Sequence, residues 1–313
     1  MAASQFALVD RLVNRHNKSP WDDLLLEPNR VVSSEDAVPM WTTLALALAL
    51  NGTPGQSDQL SFLNVRSVSG YFGPERQSDK LLPGDVYLLV FDIAGFKIDA
   101  EGKILYRMAM QVTDSRGKVQ FGREAEDREA FNSLGGNRVP ASAVIEVRFD
   151  QPPGQYTLNL TVTDRTSKAS QKLTRRFDVL PKAFGIVQVI TTIDHQQTIA
   201  VPPAGVVGEF RFINCAVVGF ERDTAKKQPN VLLEMRVLDE SGTQVSKPAT
   251  VEINEDVPEN AGLVPRQFPL ALNRPGKFTV ELQATDRISK KTAKLSLPLT
   301  SVEQKSNRGA AEK

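Results

Sequence analysis

The sequence predicts an all-β protein made of two tandem copies of one β-sandwich, preceded by a segment outside the repeat. Three observations carry this prediction: an internal repeat, a two-residue alternation of apolar and polar side chains, and turn residues at regular intervals. The chain has 313 residues. That length is sufficient for two domains of about 120 residues, each able to bury its own core.

The internal repeat is clearest near the end of each copy. Residues 153–168 and 275–290 are identical at nine of sixteen positions at a constant offset of 122 residues. Average residue usage gives about one such match by chance. Upstream, residues 84–96 align with residues 208–220 at an offset of 124. Because loops tolerate insertions, the small change in offset indicates loops that differ in length. Such a long period indicates tandem domains rather than a solenoid.

Alternation of apolar and polar residues predicts the strands. The apolar positions of two strands in each copy are Tyr106, Met108, Met110, Val112, Tyr156, Leu158, Leu160 and Val162, and then Val231, Leu233, Met235, Val237, Phe278, Val280, Leu282 and Ala284. A period of two is typical of half-buried strands. Turn residues separate these runs, and no helical periodicity follows residue 58, which together favour sandwiches. Pro298 lies inside the last strand, which is therefore predicted at a sheet edge.

The repeat also sets the predicted domain boundaries. The first sandwich is expected to span residues 58–181 and the second residues 183–303, followed by a disordered tail at residues 304–313. Only the short link at residues 180–184 joins them. We therefore expect the two sandwiches to meet at a fairly fixed angle.

Residues 1–57 form the non-repeat N-terminal segment, which contains a run of signal-peptide length. The apolar run Leu44–Leu50, extended by Trp41, is too short to span a membrane, and a Gly/Pro turn follows it within residues 40–56. Its upstream flank is acidic, and one explanation of its late position is that translation begins at Met40. We predict a signal region and export to the periplasm or cell surface. The alternatives are a buried helix or strand, an uncleaved anchor, and a cytoplasmic location.

The residues before one predicted strand resemble a corner found in immunoglobulin-like domains. Asp150, Gly154 and Tyr156 stand in the order of a motif whose tyrosine hydroxyl binds back to the preceding loop. The second copy has Gly276 and Phe278, so only ring packing is left there. The chain resembles the disulfide-free immunoglobulin-like and PKD-like modules of exported bacterial proteins, and is similar to exported proteins of planctomycete-type bacteria. The resemblance implies two immunoglobulin-like sandwiches and no particular activity.

Charge and reactive residues exclude several classes of function. The net charge is +1, so no global field attracts nucleic acid or an anionic membrane, and no nucleic-acid partner is expected. The single cysteine, Cys215, excludes an intrachain disulfide, and its apolar neighbours predict burial. His16 and His195 are the only histidines, and His195 falls in a predicted surface turn. Without a phosphate-binding loop or nucleophile elbow, the sequence predicts no enzyme and no cofactor.

The strongest candidate for a functional motif is Thr-Asp-Arg-x-Ser-Lys, which closes one predicted hairpin in each copy. Asp164 and Asp286 are expected to accept backbone N–H bonds and fix the turn. Arg165 and Arg287 are expected to pair locally. A structural role is the first interpretation, and a pair of recognition turns for a partner is the alternative.

Acidic residues recur at similar places in the two copies, and we interpret them as solvated loop charge. They are Glu124, Glu126, Asp127 and Glu129, and then Glu252, Glu255, Asp256 and Glu259. Calcium binding is the alternative. Calcium needs several oxygen ligands in a tight loop, and neither segment has the alternating Asp-x-Asp-x-Asp-Gly spacing. No metal site is therefore predicted.

These features predict a non-catalytic binding or structural spacer protein of the cell envelope that presents loops and sheet faces to an unknown protein or glycan. The alternative is a calcium-assisted carbohydrate-binding or enzyme-accessory module. Carbohydrate platforms usually need exposed aromatic residues, and both tryptophans, Trp21 and Trp41, lie outside the repeat. No membrane span is expected apart from the signal segment.

Overall fold

The structure is a computed structural model that describes residues 59–304. The signal region predicted at residues 40–56, the rest of the N-terminal segment and nearly all of the predicted tail lie outside the described residues. Between residues 59 and 304 the chain forms sixteen β-strands and no helix. The prediction of an all-β fold is therefore confirmed.

Eight strands build the first sandwich and eight build the second. The first contains β1 (Ser61–Val68), β2 (Lys80–Leu81), β3 (Val86–Ala94), β4 (Lys103–Asp114), β5 (Val119–Phe131), β6 (Arg138–Glu146), β7 (Gly154–Asp164) and β8 (Ser170–Val179). The second contains β9 (Gly185–Thr192), β10 (Ala204–Val206), β11 (Phe210–Val218), β12 (Val231–Asp239), β13 (Ala249–Ile253), β14 (Leu263–Ala271), β15 (Gly276–Asp286) and β16 (Thr292–Val302).

The two sandwiches have the same topology. In the first, a three-stranded sheet ordered β1-β3-β6 faces a five-stranded sheet ordered β2-β8-β7-β4-β5. In the second, the orders are β14-β11-β9 and β10-β16-β15-β12-β13, which are the same arrangement strand for strand. Among residues 59–304, only the short strands β2 and β10 pair parallel, with β8 and β16. Two tandem immunoglobulin-like sandwiches are thus confirmed, and the exact domain boundaries stay a prediction.

The alternating residues form the two cores as the sequence predicts. Leu158, Leu160 and Val162 of β7 are fully buried, and so are Val280 and Leu282 of β15. The core residues of each copy pack into a separate cluster, one per sandwich. Burial of such side chains contributes about 1.5–3 kcal/mol each, which explains why neither core needs a disulfide.

Pro298 lies in β16, which was predicted at a sheet edge but is the second strand of its sheet, inside the short strand β10. Pro298 faces Thr279 of β15 on one side. On the other side of β16, the short strand β10 pairs only with Thr300–Val302. A proline removes a backbone donor, and at this point of β16 no described strand requires that donor.

The tyrosine corner is present in the first sandwich and absent from the second. The Tyr156 hydroxyl donates a hydrogen bond to the carbonyl oxygen of Pro152 at 2.8 Å. In the second copy, the Arg274 guanidinium lies 5.1 Å from the centre of the Phe278 ring. Asp150 does not join the corner, because its carboxylate pairs with Arg148 at 2.7 Å. The prediction that the tyrosine hydroxyl ties back to the loop is confirmed.

Tyr156→Phe is expected to lower the free energy of unfolding by about 1 kcal/mol, because it removes one hydrogen bond and keeps the ring. Urea unfolding measures the change. An unchanged midpoint for Tyr156→Phe would contradict the role of the corner.

Candidate functional site

The predicted recognition turn of the first copy is built around a buried carboxylate. Asp164, at the end of β7, is 0% exposed. One of its oxygens accepts the backbone N–H of Lys97 and the hydroxyl of Ser167, each at 2.8 Å. The other accepts the N–H groups of Thr166 at 2.8 Å and Ser167 at 3.3 Å. Asp164 therefore fixes the β7–β8 turn and ties it to the loop between β3 and β4.

The second copy repeats this network around Asp286, which is also 0% exposed. One oxygen accepts the N–H of Glu221 at 2.9 Å and the hydroxyl of Ser289 at 2.6 Å. The other accepts the N–H groups of Ile288 at 2.9 Å and Ser289 at 3.4 Å. The predicted structural role of both aspartates is confirmed. Because neither carboxylate reaches the surface, any recognition at these turns falls to the arginines.

Burial and hydrogen bonding have opposite effects on the pKa values of Asp164 and Asp286. Burial raises the pKa of Asp164, but hydrogen bonds from the Lys97 amide and the Ser167 hydroxyl outweigh it and lower the pKa. The balance is the same at Asp286, where burial is outweighed by hydrogen bonds from Ser289 and Glu221. Both groups are therefore anionic at neutral pH and held as anions by donors of the chain itself.

The arginines of the turns are paired with acidic residues of the edge strands β5 and β13. Arg165 contacts the carboxylate of Asp127 at 3.2 Å, and Arg107 binds the same carboxylate. Arg287 contacts Glu252 at 3.0 Å. Both arginines are thus paired, but with acidic residues of β5 and β13, 38 and 35 positions away in the chain, rather than locally as predicted. The guanidiniums are partly exposed, so a recognition role for Arg165 and Arg287 stays a prediction.

The acidic residues of the first copy do not form a loop, which corrects the interpretation from sequence. Glu124, Glu126, Asp127 and Glu129 lie in strand β5, at the edge of the five-stranded sheet. In the second copy, Glu252 lies in β13 and the other three acidic residues follow that strand. Strand β5 is solvated on both faces, so its sequence lacks apolar alternation. Charged edge strands also discourage pairing with other chains.

Metal-binding clusters are not found between residues 59 and 304. No group of three or more His, Cys, Asp or Glu side chains in that range could hold a metal ion. His195 is exposed, and its ring nitrogen contacts the side chain of Gln267. Asp194 does not orient this imidazole, because its oxygens accept hydrogen bonds from Thr198 and Ile199. The same residues include no helix long and apolar enough to cross a membrane.

The thiol of Cys215 is expected to be unreactive in the folded protein. Cys215 is buried in the core of the second sandwich, and burial raises its pKa to about 12. Because the thiolate is the reactive form, a thiol reagent at about pH 8 should label the chain only after unfolding. Absorbance of the released leaving group, with and without urea, measures this. Labelling of native protein as fast as a free thiol would contradict it.

The surface between the sandwiches includes a set of polar groups centred on Asp85. Asp85, which directly precedes β3, is 6% exposed and forms an ion pair with Arg76 at 3.0 Å. The backbone N–H of Gln188, in β9 of the second sandwich, donates to Asp85 at 3.2 Å. The Gln188 side chain donates to the carbonyl of Gly84 at 2.7 Å. We call Arg76, Asp85 and Gln188 the joint triad.

An apolar patch lies beside the joint triad. Val187, Ala216 and Val218 of the second sandwich are buried against Leu82 of the first and Leu263 of the second. Leu82 packs so closely on Gly185 that an added Cβ there would lie 2.2 Å from the Leu82 side chain. The two sandwiches therefore share a packed interface, and they form one compact unit.

The fold and the contact between the sandwiches define a protein of two immunoglobulin-like sandwiches. Its buried carboxylates have a structural role. No family model and no curated protein sequence matches the chain. Among solved structures, the chain is similar to the C-terminal domain of the Streptococcus agalactiae AgI/II polypeptide BspA, at 9% identity and a TM-score of 0.27. The match covers 77% of this chain and 100% of that one. A likeness at this level carries no argument about function.

Proposed function

We propose that the protein is a non-catalytic, exported spacer and binding protein of the cell envelope. Its two sandwiches, which we place at residues 58–181 and 183–303, would act as one rigid unit that presents its outer edges and loops to a partner protein. The observation that carries this proposal is the joint, in which Asp85 binds groups of both sandwiches. We take this largely buried ion pair at the contact as a sign that the two sandwiches keep a fixed arrangement.

The use of the charged groups supports a binding role over a catalytic one. The buried carboxylates Asp164 and Asp286 are saturated by donors of the chain itself. The more exposed candidates are paired as well, Arg165 with Asp127 and Arg287 with Glu252. General acid–base or nucleophilic catalysis needs a titratable group within reach of a substrate, and these groups are occupied.

Envelope fractionation with mass spectrometry of the mature N-terminus tests the proposal. We expect the native protein in the envelope fraction, with its first residue after the apolar run Leu44–Leu50. The matched variant Leu46→Lys interrupts that run and should hold the protein in the cytoplasm. A native protein in the cytoplasm that begins at residue 1 or 2 would overturn the proposal. Cross-linking in intact cells before fractionation then identifies the partner.

A further inference from the structure

Strand β8 of the first sandwich has an open edge along most of its length. On one side it pairs with β7 from Ser170 to Val179. On the other side its only described strand neighbour is β2, which pairs with Asp178 and Val179 alone. The backbone of the stretch from Ser170 to Phe177 therefore has a free side among residues 59–304, while the Arg175 side chain donates to the Val65 carbonyl of β1 at 3.4 Å.

The backbone of β8 directs hydrogen-bonding groups toward that free side. The N–H groups of Asp178 and Leu180 donate to the carbonyls of Asp79 and Leu81, on the β2 side of the strand, at 2.8 Å. Backbone groups two residues apart in a strand point the same way. The donors that face the open edge are thus the N–H groups of Ser170, Lys172, Thr174 and Arg176.

The other edge strands of residues 59–304 carry features that block strand addition. Register shifts interrupt the edge strands β1, β5 and β9. Prolines interrupt β6, β14 and β16, at Pro140, Pro265, Pro269 and Pro298. Strand β13 has only five residues. Bulges, prolines, short length and charged side chains are the devices by which proteins protect their edges. Strand β8 has only the last of these, and its cations repel a cationic strand but not an acidic one. Strand β8, with ten residues, has no proline and no register shift.

Comparison of β8 with its counterpart β16 shows that this edge differs between the copies. Arg176 faces Thr157, and the residue in the matching place of β16 is Pro298, which faces Thr279. The neighbouring Arg175 corresponds to Leu297 in the second copy. The first copy therefore keeps a backbone donor and adds two cations where the second copy has none.

The open edge of β8 is positively charged and borders an apolar opening. Lys172, Arg175 and Arg176 are exposed, and β8 has no acidic residue before Asp178. Beside the start of the strand lies an open cleft of ≈ 570 Å³, lined by Gln59, Leu60, Ala169, Ser170 and Gln171. The partly buried side chains of Leu173 and Val65 continue the apolar surface between the sheets.

We infer that the open edge of β8 accepts an extended acidic segment of a partner protein as an additional strand. Residues of that segment opposite Lys172 and Arg176 would be acidic, and those opposite Leu173 would be apolar and enter the opening. Main-chain hydrogen bonds supply affinity in this mode, and alternate side chains supply specificity. A second copy of the chain does not fit through its own β8, because the cations of the two strands would meet. Its acidic edge strand β5 does not fit either, because register shifts interrupt it. The inference rests on the proposed function and names its binding site.

Peptide binding to the full chain tests this inference. The probe is a capped synthetic peptide of about seven residues that alternates Glu and Val, long enough for an average strand. Its comparison is a peptide that alternates Lys and Val. Fluorescence anisotropy should show binding of the Glu peptide, at least tenfold weaker binding of the Lys peptide, and weakening with added salt, since exposed charges are screened.

Two variants separate backbone pairing from charge. Arg176→Pro reproduces the residue of the second copy, where the same strand position accommodates proline. It should weaken binding at least tenfold, and more than its control Arg176→Gln, which removes the same charge and keeps the backbone N–H. Lys172→Glu reverses a charge that faces solvent and leaves Arg175 and Arg176 in place, so it should narrow the preference for the Glu peptide over the Lys peptide. Circular dichroism establishes that both variants fold. Full binding by both variants, or no binding of the Glu peptide to the native chain, would overturn the inference. Envelope localisation is measured separately, so a failure here leaves the spacer role untouched.

Discussion

Asp164→Ala is expected to lower the free energy of unfolding of the first sandwich by about 3 kcal/mol. The carboxylate is fully buried and accepts four hydrogen bonds, from Lys97, Thr166 and Ser167. An alanine leaves those buried donors without their charged acceptor. It also releases the β7–β8 turn from the loop at Lys97. Urea unfolding monitored by circular dichroism measures the loss.

The second copy and an exposed turn provide the controls. Asp286→Ala should destabilise the second sandwich by a similar amount, because its contacts are the same. Asp239 caps the turn after β12 with backbone hydrogen bonds from Ser241 and Thr243, but it lies at the surface. Asp239→Ala should therefore cost much less than either buried variant. Equal effects at Asp164 and Asp239 would show that burial of the carboxylate is irrelevant.

The same carboxylates should make the fold sensitive to acid. Burial raises the pKa of Asp164 but hydrogen bonds more than offset it, so the pKa is lower in the folded chain than in the unfolded one. Such a group stabilises the fold above the unfolded value of about 3.9, and this contribution is lost as the pH falls through the folded value. The stability gap between native protein and Asp164→Asn should narrow below about pH 4. A gap independent of pH would contradict this.

The features that the sequence predicts are those with local, periodic causes. Core residues such as Leu158 and Leu282 alternate because each strand has one buried face. The aspartate turns were predictable because an Asp at a strand end accepts nearby N–H groups. Their bonds to Lys97 and Glu221 were not, since those donors lie more than sixty residues away in the chain.

The features that the sequence misses lack such a signal. Strand β5 is exposed on both faces, so no apolar residue marks every second position and its acidic residues resemble a loop. The joint triad is also invisible in the repeat. At the position of Asp85 the second copy has Glu209, which pairs with Arg211 two residues away. Residues that form a contact between the two copies differ between the copies, so aligning the repeats does not reveal them.

The second large effect is expected at the joint triad. Arg76→Ala should lower the free energy of unfolding by about 3 kcal/mol, because it leaves the carboxylate of Asp85 buried without a counter-ion. The two side chains are 15% and 8% exposed, and Arg76 also donates to the carbonyl of Val86 at 2.9 Å. Asp85→Ala should cost a similar amount and also leave the N–H of Gln188 without its acceptor.

The joint-triad variants are expected to do more than lower the free energy of unfolding. They should also weaken the contact between the two sandwiches. Both variants should become more sensitive to protease at the link of residues 180–184, under conditions where each sandwich is still folded. Arg148→Ala is the matched control, since its ion pair with Asp150 is exposed and exposed pairs contribute little. If Arg76→Ala and Arg148→Ala were cleaved at the same rate, the ion pair would not hold the joint. A rigid spacer would then need another explanation, such as the apolar contact of Leu82 with Gly185.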